Sequence, residues 1–224
     1  MTNQGKKKIG YYVKRFCFIL ILLLLFAIGL IFIFNEPIKQ YLVRSMTQEV
    51  IQQAPKDKDN KKKKNKPSFD FSDVKEVTLQ DVAKERAHLK KNISSMNYLG
   101  IIDIPSVHIN LPILEGVSNS VLSSGAGTMK PNQKMGTGNY ALASHNMNDQ
   151  TTLFSPLVNL QKGAKIYLKN SKHTYVYKAE SIRYISPKDT QVIANHGEKE
   201  ITLITCNTSG DQRLCIQGPL IATE

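Results

Sequence analysis

The sequence contains no tryptophan, and only three of its 224 residues are cysteine: Cys17, Cys206 and Cys215. So few cysteines exclude a disulfide-built scaffold, and no Cys-x-x-Cys or paired Cys/His spacing marks a zinc site. Acidic residues are also scarce, 18 against 30 Lys+Arg, for a formal charge of +12. The excess sits at one end. Residues 1–67 carry 14 basic and 4 acidic side chains, whereas 68–224 carry 16 and 14. A near-neutral domain without aromatic-basic repeats lacks the electrostatic footprint that dominates nucleic-acid affinity, so no nucleic acid is expected as a partner. With 41% hydrophobic residues the chain is not disordered throughout; it suits one ordinary domain with appendages.

Charge is missing altogether from residues 16–34, FCFILILLLLFAIGLIFIF. At about 1.5 Å per residue this run matches the roughly 30 Å hydrocarbon core of a bilayer. A cleaved signal peptide would have an apolar region of about 7–15 residues followed by a small-x-small site. Here the only such triplet, Ala27-Ile28-Gly29, lies inside the run. The run reads as an uncleaved transmembrane anchor, with the lipid bilayer as a partner. Lys6, Lys7, Lys8, Lys14 and Arg15 precede it, and only Lys39 and Arg44 follow before Ala54. The positive-inside bias then puts the N-terminus in the cytoplasm and the C-terminal part outside. A second basic cluster, Lys56, Lys58, Lys61 to Lys64 and Lys66, reads as a self-repelling linker or as a contact to anionic lipid or wall polymer. The expected organisation is a cytoplasmic tail over 1–15, the anchor over 16–34, an external juxtamembrane and Lys-rich linker over 35–75, and a folded domain over 76–224.

From Val77 the texture is that of a packed domain. Thr78 is placed to cap a helix over 79–91, with Leu79, Val82, Ala83 and Leu89 on one face. Strand signals follow at 98–104, 108–114, 140–143, 165–168, 175–185, 200–206 and 214–221, with short helices expected at 118–122 and 152–157. Seven or eight strands with little intervening helix argue for a mainly β, closed or nearly closed barrel.

Outside the cell an unpaired thiol is a liability unless it has a use. Cys17 is an apolar filler within the membrane run. Cys206 ends the strand run EITLITC before the polar stretch NTSGD, the station of a side chain held at a strand end for chemistry. Cys215 stands in the alternation Leu214-Cys215-Ile216-Gln217, and a Cys206–Cys215 hairpin disulfide stays open as an alternative. A nucleophilic thiol needs a proton-transfer partner. Of His88, His108, His145, His173 and His196, only His145 ends an apolar strand, YALASH, before a polar loop, repeating the placement of Cys206. Attack on an amide also builds charge on the carbonyl oxygen. Of Arg86, Arg183 and Arg213, the last opens the strand after Cys206 and suits an oxyanion through its permanent charge and fork of donors.

These residues resemble the sortases, in particular the class A housekeeping members: Thr202-Leu-Ile-Thr-Cys206, a strand ending Leu-Ala-Ser-His145 and an arginine seven residues beyond the cysteine. The likeness spans 97–222 and takes in Gly100-Ile-Ile-Asp-Ile-Pro105, Gly125-Ala-Gly-Thr-Met-Lys130 and Leu153-Phe-Ser-Pro-Leu157. It implies a closed eight-stranded sortase β-barrel over 76–224 and a cysteine transpeptidase of the Gram-positive cell surface. Such an enzyme cuts the Leu-Pro-x-Thr-Gly (LPXTG) signal of surface proteins between Thr and Gly, holds the Thr as a thioester and passes it to an amine of a peptidoglycan precursor. By motif, Cys206 is the nucleophile, His145 the general acid and base, and Arg213 the oxyanion and substrate clamp. Thr205 supports the site, and Ala143, Ile204, Val192, Ile193 and Met129 line the groove for the apolar part of the signal.

Some class A members bind calcium through carboxylates, but here 128–134 and 192–197 have none, so no cofactor and no calcium requirement are expected. Rival readings are a pilus-type sortase that uses a protein lysine as acceptor and a membrane-tethered binding module without catalysis. The helix at 79–91, placed between linker and barrel, is expected to pack on the barrel and restrict groove access.

Overall fold

The computed structural model describes residues 3–53, 67–69, 78–147 and 149–224. The Lys-rich stretch falls outside them. Two compact units are present, Met1–Lys39 and Gln40–Glu224.

Helix α1 (Asn3–Gln53) opens the chain and contains Pro37. Many of the large apolar side chains between Phe16 and Phe34 are exposed. Among the described residues no single helix is long and apolar enough to cross a membrane; Lys14–Leu30 and Phe34–Gln53 meet that test only as a bent pair. The last turns of α1, residues 40–53, belong to the second unit. Val43, Met46, Thr47 and Val50 recur at one helical face and are buried, the three apolar ones within the main core of the barrel. Arg44 Nη2 donates to Thr151 Oγ1 at 2.9 Å, tying this helix to the loop after His145.

Helix α2 (Leu79–Asn92) starts where Thr78 predicts it. The Thr78 side chain accepts from Asp81 N, and the Asp81 carboxylate accepts from Thr78 N, a complete capping box. Val82 and Leu89 are its buried residues, while Ala83 is exposed, and the helix packs on the short α3 (Asn119–Leu122).

Nine strands follow: β1 (Tyr98–Ile104), β2 (Ile109–Leu114), β3 (Ala126–Thr128), β4 (Asn139–Ala143), β5 (Lys165–Lys169), β6 (Thr174–Lys178), β7 (Ser181–Ile185), β8 (Glu200–Cys206) and β9 (Arg213–Thr223). Their order is β6-β5-β1-β2-β3-β4-β8-β9-β7, with a further β6–β9 pairing. That pairing closes an eight-stranded ring, and β7 is an extra strand on β9. One edge of β9 is shared: Arg213 to Gln217 pair with β7, and Leu220 to Thr223 with β6. Gly218 lies at the changeover, where a Cβ would stand 1.7 Å from the Lys178 carbonyl oxygen. No side chain fits there, so this glycine permits the closure. Most contacts are antiparallel, but β2–β3 and β4–β8 are parallel, and α3 supplies the first of these crossovers. Tyr140, Tyr177, Phe154 and aliphatic side chains fill the interior. The Tyr177 hydroxyl accepts from Gly136 N at 2.9 Å, which satisfies its polar end.

Candidate active site

The parallel β4–β8 contact and the antiparallel β8–β9 contact bring three chain segments to one end of the barrel. Cys206, last in β8, faces Arg213, first in β9. Between them the 207–212 loop folds on itself: Asn207 N donates to Gln212 O at 3.1 Å, and Asn207 Nδ2 to Asp211 Oδ1 at 2.7 Å. On the other side Ala143 pairs with Ile204. Beyond it Ser144 N donates to Ile204 O at 3.3 Å, Thr205 Oγ1 to Ser144 O at 2.9 Å, and Asn146 Nδ2 to Cys206 O at 2.9 Å. His145 is therefore held between two residues that are tied to the cysteine strand. All three cysteines are free, so the disulfide alternative is not realised. Arg183 instead donates to Ser181 Oγ at 2.6 Å on exposed β7.

The site is dry. His145 is 3% exposed, and its Nε2 is buried with no hydrogen-bond partner among the described residues. Burial pulls the imidazole pKa from 6.5 down to about 4. The Cys206 thiol is pushed up by burial, opposed by the charge of Arg213. Both shifts favour neutral side chains at rest, with the arginine as the fixed cation. No hydrogen bond joins the thiol to the imidazole among the described residues; catalytic contacts of this kind tighten when substrate binds.

At His145 the unfolded chain binds more protons than the folded one between pH 6.5 and 4, so the stability that neutral His145 contributes is present above 6.5 and is lost as pH falls toward 4. The loss is on the order of 3 kcal/mol. Thermal unfolding between pH 7 and 4 should show it, and His145→Gln should remove that part of the slope; an unchanged slope would sink the assignment.

Arg213 is 8% exposed and donates from Nη1 to Gly210 O at 3.0 Å and Gln212 O at 3.2 Å. It lines a groove of about 500 Å³ together with Phe69, Met129, Ile185, Ile193 and Ile204, with Lys188 and Asp189 as the other charged residues there. Ile204, Ile193 and Met129, expected to line a groove for the apolar part of the signal, are all in this lining. Ala143 and Val192 pack behind it, Ala143 with Val117 and Leu122, Val192 with Ile185, Ile204 and Cys215. The sequence reading missed Phe69, whose segment is anchored where Val117 N donates to Ser68 O at 2.7 Å.

It also missed what fixes the groove wall. The 3₁₀ turn Thr190–Ile193 and its C-cap Ala194 together carry three carbonyls held by side chains from elsewhere. Asn139 Nδ2 donates to Val192 O at 2.9 Å and Ala194 O at 3.0 Å, Gln217 Nε2 to Val192 O at 3.1 Å, and Lys130 Nζ to Ile193 O and, at 2.8 Å, Asn139 O. Between the two segments considered for calcium, the carbonyl oxygens of Ile193 and Asn139 thus accept from the Lys130 ammonium. Burial lowers the Lys130 pKa, opposed by Glu200. Lys130→Met should loosen the turn and raise KM for a peptide substrate about tenfold, with kcat changed less. Equal effects on both constants, read from initial rates, would mean that Lys130 does not act through the groove.

The sequence profile of the sortase domain family matches residues 102–221. The chain is 36% identical over 231 aligned residues to sortase A of Streptococcus agalactiae serotype III (strain NEM316), covering 98% of this chain and 90% of that one. The chain belongs to the sortase family. Sortase A of Listeria monocytogenes serovar 1/2a is 35% identical, with 91% of each chain covered. The solved structure of L. monocytogenes sortase A superposes with a TM-score of 0.55 at 40% identity, over 57% of this chain and 89% of that one. This sortase is a cysteine transpeptidase built on the closed eight-stranded barrel.

Proposed function

We propose that this sortase cuts a Leu-Pro-x-Thr-Gly signal between Thr and Gly and transfers the carboxyl end to an amine of a peptidoglycan precursor, anchoring surface proteins to the wall. The observation that carries the site is the register of Cys206 between Arg213 and the His145 segment, with Arg213 lining the neighbouring groove. In this reading His145 takes the thiol proton as Cys206 attacks the Thr carbonyl, and it returns that proton to the leaving glycine amine as the C–N bond breaks. Arg213 faces the developing oxyanion, and the Thr205 hydroxyl positions the His145 segment through Ser144 O. Cys and His titrate as a coupled pair, so a pH-rate curve belongs to both. The likeness to proteins named sortase A supports the class A assignment.

The same proposal places residues 16–34 in the membrane, with the N-terminus cytoplasmic and the barrel outside. It rests on the uncharged run and the basic residues before it. Incubating the full chain in detergent with a Leu-Pro-x-Thr-Gly peptide, with and without an amine, tests the reaction. Cleavage after Thr, an acyl adduct on Cys206 and an amine-dependent product are expected. A folded enzyme that cleaves no signal variant refutes the substrate assignment.

A further inference from the structure

Residues 40–53 precede the barrel by a long stretch of sequence, yet they belong to the same compact unit. Val43, Met46 and Val50 are at most 1% exposed and sit within the main core, and Leu42 packs partly against it. Burial of that stripe fixes the helix backbone. Arg44, exposed beside the buried face, then reaches Thr151 Oγ1 at 2.9 Å across 107 residues of sequence.

Thr151 lies in a loop that leaves from His145 and returns to it. Asn146 pairs with Leu153 in an isolated antiparallel bridge, Phe154 N donates to His145 O at 3.2 Å, and Met147 N donates to Ser155 Oγ at 2.7 Å. Inside the loop Asp149 Oδ1 accepts from Thr151 N and Thr152 N, both at 2.9 Å. Gln150 and Leu153, on either side of the two threonines, hold φ of 58° and 52°, the left-handed region that side chains disfavour. Such backbone persists where the surrounding structure over-determines it. The Arg44 bond is a contact of that kind, supplied from outside the loop.

The His145 ring depends on this frame. Its Nε2 has no hydrogen-bond partner among the described residues, so the backbone on either side sets where the imidazole stands. One side is tied to the cysteine strand through Ser144 N and Thr205 Oγ1; the other is the closed loop. We propose that Arg44 is a positioning residue for His145. Helix 40–53 braces the loop through Thr151 and so keeps the imidazole where it exchanges a proton with the Cys206 thiol. This inference rests on the reading of His145 as the proton carrier. It makes the stretch that leads into the barrel a part of the catalytic unit.

The test is a double-mutant cycle in the full chain in detergent, with enzyme in excess over a Leu-Pro-x-Thr-Gly peptide and no amine acceptor. Arg44→Met keeps the aliphatic stem and loses the donors; Thr151→Val keeps the shape and loses the acceptor. Each should slow release of the glycine-led fragment about fivefold at saturating enzyme. The double variant should be no slower than either single one, and Thr151→Ser, which keeps the hydroxyl, should restore the parent rate. The enzyme concentration at half-saturation should not move, since the groove is lined by other segments. A merely structural role would do the reverse: less folded enzyme raises the half-saturation point and leaves the saturated rate constant alone. That pattern, losses that multiply in the double variant, or single variants at the parent rate overturn the brace while leaving the role of His145 in place. A His145→Ala enzyme that works at the parent rate overturns the proton-carrier reading and the brace with it.

Discussion

Cys206→Ala is expected to reduce cleavage and transfer by on the order of 10⁴-fold or more, because loss of a nucleophile removes the covalent path rather than one contact along it. The barrel should be spared. Cys206 is half-buried at a strand end, and its carbonyl remains available to Asn146 Nδ2 after the change. Signal peptide should still bind, since the groove is walled by Met129, Ile193, Ile204 and Arg213. Cys215→Ala supplies the contrast within the same molecule. That thiol is fully buried among Ile185, Val192 and Ile204, and burial drives its pKa to about 11, so it offers neither access nor thiolate. Mass spectrometry of enzyme trapped with peptide should find the acyl group on parent and Cys215→Ala protein and none on Cys206→Ala. Retention of turnover in Cys206→Ala would take the nucleophile role away from Cys206.

The parts of the fold that were legible in the sequence are those specified by local pattern. Residues 98–104 and 200–206 form strands to the predicted residue, and Thr78 caps its helix, because alternation, β-branching and capping chemistry act over a few residues. Longer-range effects redrew the rest. The run 175–185 looks continuous but is cut after Lys178, where Glu180 N donates to Gln217 O and the chain passes from the β6 to the β7 position on β9. β3 is only Ala126, Gly127 and Thr128, too short and small to carry a pattern. The helix expected at 152–157 is a 3₁₀ turn, Ser155–Asn159, with Pro156 in its first turn and Leu153 at φ 52 before it. At the site, Cys206 and Arg213 were readable as hairpin neighbours, and His145 as a second strand end. The clamp on residues 192–194 was not, since Lys130, Asn139 and Gln217 reach it across 25 to 63 residues of sequence. The packing face of residues 40–53 was hidden by the all-apolar run before it, which masks the start of a one-sided stripe.

Substitutions at Arg213 separate two things that one guanidinium does. Its charge opposes the upward shift of the Cys206 pKa, and in the proposed reading its N–H fork meets the oxyanion that develops beside the groove it lines. Arg213→Ala removes both, and kcat/KM should fall about 10²–10³-fold while the thiol titrates at still higher pH. Arg213→Lys keeps a charge but replaces the planar fork with a single ammonium. The native Nη1 already holds Gly210 O and Gln212 O, so a lysine that satisfies these carbonyls is drawn away from the oxyanion. The lysine variant should therefore recover much of the thiol ionisation, followed by its ultraviolet absorbance against pH, and little of kcat/KM. Such a split assigns the rate to donor geometry. Parallel recovery of ionisation and rate would mean that Arg213 acts only through its field on the thiol, and the oxyanion role would have to be given up.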